Sequence, residues 1–254
     1  MISEKQQDPF GRAGLLLGSE TMTAIAGIKV IIFGVGGVGS WCAEALIRTG
    51  VSHLTIVDPD KVCVTNCNRQ SMATARTIGE VKVEALRRRL LEINPQADIT
   101  ARCEAYGEAS APLFGLSEYD YVIDAIDSLK DKVRLILHAT GIPSVTLFSS
   151  MGAALRTDPC RVRQAEFRQV KGDPLARALR NRFKRDGTFP CRKFRCVYSE
   201  EPPLKNRGDD TPEDGVGKAR INGSLCQVTA VFGLTLAAMV TDHVSRYLPP
   251  TDSR

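Results

Sequence analysis

No Cys-x-x-Cys pair occurs in this chain, although it has eight cysteines. Cys63 and Cys67 are separated by three residues and Cys191 and Cys196 by four, so their spacing gives a structural zinc site no support. The opening stretch MISEKQQDPFGRAG lacks the apolar core of a secretion signal. That points to a reducing, cytoplasmic location in which most cysteines act as small buried apolar residues. The longest apolar run, LCQVTAVFGLTLAAMV at residues 225–240, is short for a membrane span and includes Gln227 and two threonines, so it reads as a buried packing helix. Internal repeats and coiled-coil heptads are missing too. A strong net charge is also lacking: the formal value is +5, only mildly basic. Its distribution says more, because residues 161–195 hold twelve Lys or Arg against three acids. Such a local positive field suits phosphates or nucleic acid, with a solvated basic surface as the plainer alternative.

What is present is an alternation of strands and helices. KVIIF at Lys29–Phe33 is short, apolar and β-branched, the pattern of a buried parallel strand. Glycines follow, then the helical pattern VGSWCAEALIRTG closed by Gly50, then a second strand at residues 53–58; together they form a βαβ unit. GEVKVEALRRRLLEINP is an amphipathic helix that stops near Pro95, with Val81, Val83, Leu86, Leu90 and Leu91 near one stripe. Strands are expected at residues 98–103, 120–126 and 144–149, with a helix at 128–140 between the last two. This order predicts an α/β fold, a Rossmann-like, doubly wound, mostly parallel sheet. The pattern breaks over residues 161–217, which are polar, basic and rich in Pro and Gly. One basic helix is expected there in DPLARALRNRFKRDG, and a mobile loop in EEPPLKNRGDDTPEDGVGK. Residues 1–254 read as one domain, carrying a basic substrate-recognition insertion at 161–217 and a C-terminal packing helix.

GVGGVG sets Gly34, Gly36 and Gly39 in Gly-x-Gly-x-x-Gly spacing between a strand and a helix, with Gly37 inside it. The first glycine allows a tight turn, the second lets backbone approach a phosphate, and the third lets helix and strand pack closely; the helix amino end favours an anion. Asp58 follows Gly39 by nineteen residues, at the carboxyl end of the second strand, where a carboxylate can accept from both ribose hydroxyls. These features suit NAD and ATP equally. The stretch VDPDKVCVTNCNRQ, residues 57–70, separates them. Hydride transfer leaves the pyrophosphate intact and needs few cations beside it. Transfer of AMP must stabilise a departing pyrophosphate with cationic side chains and magnesium. Arg69 sits on this loop with Asn66 placed to donate to a phosphate oxygen, and Lys82 enters early on the next helix. Asp127, at the end of the fourth strand, could hold magnesium. Asp60 and Gln70 complete the candidate nucleotide-binding set. Taken singly, each has a plainer reading: Arg69 paired with Asp60, Lys82 solvated on its helix, Asp127 capping the helix that begins at Ser128.

GVGGVGS, VDPDKV, Asn-x-Asn-Arg-Gln, Gly-x-x-Lys and DAIDS together resemble the adenylating domain of the ubiquitin-activating and ThiF/MoeB superfamily, over nearly the whole chain. VIDAIDS, RTDP at residues 156–159, DPLA at 173–176 and CVYSEEPP at 196–203 look most like its tRNA threonylcarbamoyladenosine dehydratase branch, which also lacks paired Cys-x-x-Cys knuckles. The resemblance implies a ligase-type enzyme using ATP and Mg2+. It puts Asp58 at the ribose, Asn66, Arg69 and Lys82 at the triphosphate, and Asp127 on magnesium near the α-phosphate. Arg12, in FGRAGLLLG, would reach the neighbouring subunit's ATP site in a homodimer; a surface arginine on a terminal helix is the plainer reading. The implied reaction is ATP-dependent cyclisation of threonylcarbamoyladenosine beside the tRNA anticodon, through an acyl-adenylate. Arg177, Arg180 and Lys184 recur at helical spacing and would share one face toward tRNA phosphates. A sulfur-mobilising protein would be a further partner. Three rivals stay open. One is activation of a ubiquitin-like sulfur-carrier protein, with Cys191 or Cys196 serving sulfur transfer. Another, an NAD-dependent oxidoreductase, leaves Arg69, Lys82 and Asp127 idle. The third is a non-catalytic nucleotide-binding scaffold, against which the retained Arg69 and Asp127 argue weakly.

Overall fold

The computed structural model describes residues 8–208 and 222–247. Two short helices, α1 (Gly11–Leu17) and α2 (Ser19–Gly27), lead into a seven-stranded sheet. In chain order the remaining elements are β1 (Lys29–Phe33), α3 (Gly39–Thr49), β2 (His53–Val57), α4 (Lys82–Ile93), β3 (Asp98–Arg102), β4 (Tyr121–Asp124), α5 (Leu129–Gly141) and β5 (Thr146–Ser150). They continue with β6 (Val162–Glu166), α6 (Pro174–Asp186), β7 (Arg195–Ser199) and α7 (Cys226–Tyr247). The strands lie in the order β3-β2-β1-β4-β5-β7-β6, all parallel except β6, which runs antiparallel to β7. The chain therefore grows outward from β1 in one direction and from β4 in the other. That reversal opens a crevice at the carboxyl ends of β1 and β4, where ligands bind in open sheets of this kind.

The expected Rossmann-like sheet is present, with one difference. Two strands, β6 and β7, lie inside the stretch read as a polar, basic insertion. β6 reads VRQAE, an exposed edge strand whose polar residues blunt it against further pairing. β7 is buried from Cys196 to Ser199, but basic and proline-bearing sequence on either side hides it. The basic helix between them is α6. Its amino end is capped by Asp173, whose Oδ1 accepts from the Ala176 N–H at 2.8 Å; Pro174 takes the first position and Gly187, at φ 64°, ends it. Residues 209–217 of that stretch lie outside the described residues. The expected packing helix is α7, which lies on α3. Val228, Phe232, Leu236 and Val240 are buried on it, and a Cβ on Gly233 would overlap the Val38 carbonyl oxygen, so only glycine lets the two helices come this close.

Two buried polar groups fix what stands around the crevice. In α3, Glu44 accepts from Arg89 of α4 at 2.7 Å and from Arg48, one turn on, at 2.9 Å. Under β4, Asp124 and Lys132 are both fully buried and 2.9 Å apart. Asp124 also accepts from Ser149 Oγ at 2.7 Å and from the Ile126 N–H at 3.2 Å, while Lys132 Nζ donates to the Ile126 carbonyl at 3.0 Å. This network ties the segment after β4 to α5 and β5.

Removing one partner from such a group leaves the other buried and uncompensated. Lys132→Met is expected to lower stability by about 3–5 kcal/mol in urea unfolding, and the double variant with Asp124→Asn to recover part of that loss. A single variant within about 0.5 kcal/mol of the parent would contradict the ion pair's role. For Glu44, burial raises the carboxyl pKa, but hydrogen bonds from Arg89 and Arg48 outweigh it and hold the group below its ordinary range. A lowered folded pKa contributes stability that is present above the unfolded value and lost as pH falls through the folded one. Below about pH 4.3 the parent should therefore lose stability more steeply than Glu44→Gln, in unfolding curves taken across pH. At neutral pH that variant should cost about 1–2 kcal/mol, because both arginines are partly solvated.

Candidate functional site

The turn after β1 is packed too tightly for side chains. Gly34, at φ 85°, would bring a Cβ to 2.7 Å from the Ala125 carbonyl oxygen. A Cβ on Gly39 would overlap the Gly34 carbonyl oxygen and touch the Ala125 side chain. The glycine turn thus lies directly against the segment leaving β4. No side chain caps the amino end of α3, and of the turn's amides Ser40 and Cys42 are bonded back to Gly36 and Val38. A helix amino end without a side-chain cap favours an anion.

Asp58 follows the end of β2 and is buried. Its Oδ2 accepts from the Val35 N–H at 2.9 Å and its Oδ1 from the Asp60 N–H at 3.0 Å, so it clamps the glycine turn to its own loop. Lys82, the first residue of α4, is also buried; its Nζ is 2.7 Å from Asp60 Oδ2 and 3.8 Å from Asp58 Oδ1. Burial raises the Asp58 pKa, and the Lys82 charge and the two backbone donors work against that shift. The partner of Asp60 is therefore Lys82 and not Arg69, and Lys82 is not a solvated helix residue. Asn66 is buried, with Oδ1 accepting from the Cys63 N–H at 3.1 Å. Arg69 donates from Nη1 to the Thr65 carbonyl and to Asn68 Oδ1, both at 2.9 Å, and its Cγ is 3.2 Å from where a Gly37 Cβ would stand. Gln70 lies buried against Gly36, and its Oε1 has no hydrogen-bond partner among the described residues.

Asp127 does not end β4, which stops three residues earlier at Asp124. The deeply buried acid at the strand's end is Asp124; Asp127 is exposed on the loop before α5, next to the residues packed on Gly34 and Gly39. It does not cap α5 either, since Ser128 holds the N-cap position, where no side chain makes a capping bond. The structure thus brings the glycine turn, Asp58, Asp60, Asn66, Arg69, Gln70, Lys82 and the Asp127 loop to one edge of the sheet. Arg12 is exposed on α1, and among the described residues no hydrogen bond or ion pair ties it to the others. Arg180 is largely spent inside the fold, donating to the Phe167 and Val170 carbonyls at 3.3 and 3.1 Å, whereas Arg177 and Lys184 are exposed. Among the described residues no three His, Cys, Asp or Glu side chains gather as a metal cluster.

Sequence reasoning missed the supports of this site. Trp41 Nε1 donates to the Arg69 carbonyl at 2.9 Å and Ser40 Oγ accepts from the Ser71 N–H at 3.1 Å, so α3 holds the arginine loop in place. Lys132 was legible in principle: it shares a helix face with the buried Ile136 and Ala139, and a lysine there needs a buried acid. Arg156 and Asp173, from the RTDP and DPLA stretches, meet below the surface with Nη2 and Oδ2 3.9 Å apart. Burial lowers the Arg156 pKa, against the pull of Asp173 and Glu201.

Comparison with known proteins matches residues 11–253 to the ThiF family. The chain is 36% identical over 237 residues to the tRNA threonylcarbamoyladenosine dehydratase of Bacillus subtilis, covering 91% of this chain and 92% of that protein. It superposes on the crystal structure of the Escherichia coli tRNA N6-threonylcarbamoyladenosine dehydratase in complex with ATP with a TM-score of 0.84, at 31% identity and covering 97% of each chain. Molybdopterin-synthase adenylyltransferase of Escherichia coli is 28% identical over 186 residues, 72% of this chain. From its glycine turn to its terminal helix, this chain belongs to the ThiF family.

Proposed function

We propose that this chain is an ATP-dependent tRNA threonylcarbamoyladenosine dehydratase, acting as a single adenylating domain in the cytoplasm. The observation that carries this reading is the meeting of Arg69, the Asp58–Lys82–Asp60 group and the Asp127 loop around one glycine turn, in a chain this similar to an enzyme solved with ATP. The threonyl carboxylate attacks the α-phosphorus of ATP, the bond to the bridging oxygen breaks and pyrophosphate leaves. A nucleophilic atom of the same side chain then attacks the activated carbonyl, releasing AMP and a proton, and a ring closes with net loss of water. Because that second attack is intramolecular, no enzyme thioester and no sulfur-mobilising partner are required.

In this scheme Asp58 accepts from the ribose hydroxyls with the lone pairs that Val35 and Asp60 leave free. Arg69 and Lys82 balance the charge growing on the pyrophosphate, Lys82 by exchanging Asp60 for a phosphate oxygen. Asn66 offers its amide Nδ2, its Oδ1 being taken by Cys63. Magnesium suits the donor set. Asp127 is an exposed hard-oxygen ligand without a hydrogen bond or ion pair among the described residues, and Mg2+ is commonly held by one or two carboxylates together with substrate phosphates. Bound there, it would neutralise phosphate charge. Arg12 serves the partner's site in a homodimer; Leu15 and Leu16, strongly exposed beside it, supply apolar surface for such a contact. The face around α6 receives tRNA, through Arg177 and Lys184 more than Arg180.

The rival activation of a carrier protein would use the same ATP site. It loses one of its two candidate cysteines, because Cys196 is buried in β7 and burial pushes its thiol pKa well up, away from reactivity. Mass analysis of tRNA nucleosides separates the readings. With ATP and magnesium, threonylcarbamoyladenosine should lose one water, and Arg69→Ala or Asp127→Ala should slow this by about 10²–10³-fold. Pyrophosphate release that needs a carrier protein and leaves the nucleoside unchanged would overturn the proposal.

A further inference from the structure

At the sheet edge opposite the glycine turn lies a second concave site. Glu166 at the end of β6, Phe194 before β7, the last turns of α6 and the loop through Phe189 and Pro190 surround a cavity of about 470 Å³. That is within the range of about 300–1,000 Å³ usual for ligand pockets. Its floor is aromatic: Phe167 and Phe194 stack with ring centroids 4.9 Å apart and 18° between planes, and Phe183 meets Phe167 edge-on. At the mouth Phe189 is 59% exposed. Around the rim stand five cations and a single acid, Glu166. Arg180 and Arg192 are spent on backbone carbonyls, Arg192 on those of Ala139, Thr140, Pro143 and Val145 among others. Arg168, Lys184 and Lys193 are exposed and make no hydrogen bond or ion pair among the described residues.

We propose that this cavity receives an unstacked nucleobase of the RNA substrate, with its flanking phosphates on Arg168, Lys184 and Lys193. The inference rests on the tRNA reading above and adds to it a second contact, remote from the chemistry. An apolar floor with a flat aromatic at the entrance matches a base's π-face, and free cations at the lip match the phosphates on either side. Glu166 offers an acceptor for an exocyclic amino group. A protein segment would match the floor equally, but three unpaired cations around one acid favour a polyanion. The cavity and the glycine turn are separated by at least one strand, about 17 Å for five residues, so a folded RNA bridges them and a mononucleotide does not.

The test uses the full chain and a fluorescein-labelled oligoadenylate of about ten nucleotides, within the usual site size for single strands. Phe189→Ala should weaken binding about ten-fold, and Arg168→Glu with Lys193→Glu should weaken it further and flatten the salt dependence, while ATP affinity and melting temperature stay unchanged. Phe189→Trp should keep the affinity, and the emission it adds should fall as a base stacks on it. Equal binding by the parent and Phe189→Ala, or no change in that added emission, would overturn the proposal. Nucleoside analysis keeps the two readings apart. Turnover with a tRNA KM unmoved by Phe189→Ala sinks this inference alone, whereas Phe189-dependent oligonucleotide binding without dehydration sinks the enzymatic reading alone.

Discussion

The architecture depends on one steric demand, the approach of the β1–α3 turn to the segment that leaves β4. At Gly34 and Gly39 there is no room for a Cβ between the turn and Ala125 or between the turn and itself. Meeting this demand draws the amino end of α3 over the reversal point of the sheet. Everything that follows at that edge is hung from it. Asp58 reaches the turn through the Val35 amide, Lys82 reaches Asp58, and Arg69 lies across Gly37. A methyl group at Gly39 would thus displace an anion-binding helix end and three charged side chains together.

Asp58 both clamps the glycine turn and faces the crevice, but the deeper supports stand apart from it. Asp124, Lys132 and Ser149 form a closed, fully buried set whose value lies in keeping the 125–128 segment in one place. Glu44 and its two arginines do the same for α3 and α4. Exposed Asp127 and half-buried Arg69 gain from such support, because a side chain that exchanges partners during a reaction needs its loop held by other residues.

Sequence pattern revealed the parallel sheet because short β-branched runs and glycine-closed helices have few other interpretations. Asp58, Arg69 and Lys82 were legible because each sits at a fixed step after a recognisable strand or helix start. Asp127 was placed on β4 by the apolar run DYVIDAI, but the pull of Lys132 on Asp124 and Ile126 ends the strand early and turns the chain into a loop. β6 and β7 escaped notice because edge pairing does not require alternating apolar residues, and Arg195 and its neighbours mask a four-residue buried core. The pairing of Arg89 with Glu44 could not be read from either helix alone, since it is a contact between their faces at a separation of 45 residues.

The indole of Trp41 is the only one in the chain, and it is bonded to the carbonyl of the arginine that lies over the glycine turn. Any rearrangement of that loop must stretch or break this bond and change the polarity around the ring. The molecule therefore carries an intrinsic optical gauge of its nucleotide loop, readable in the unlabelled protein and silent to events at the far edge of the sheet.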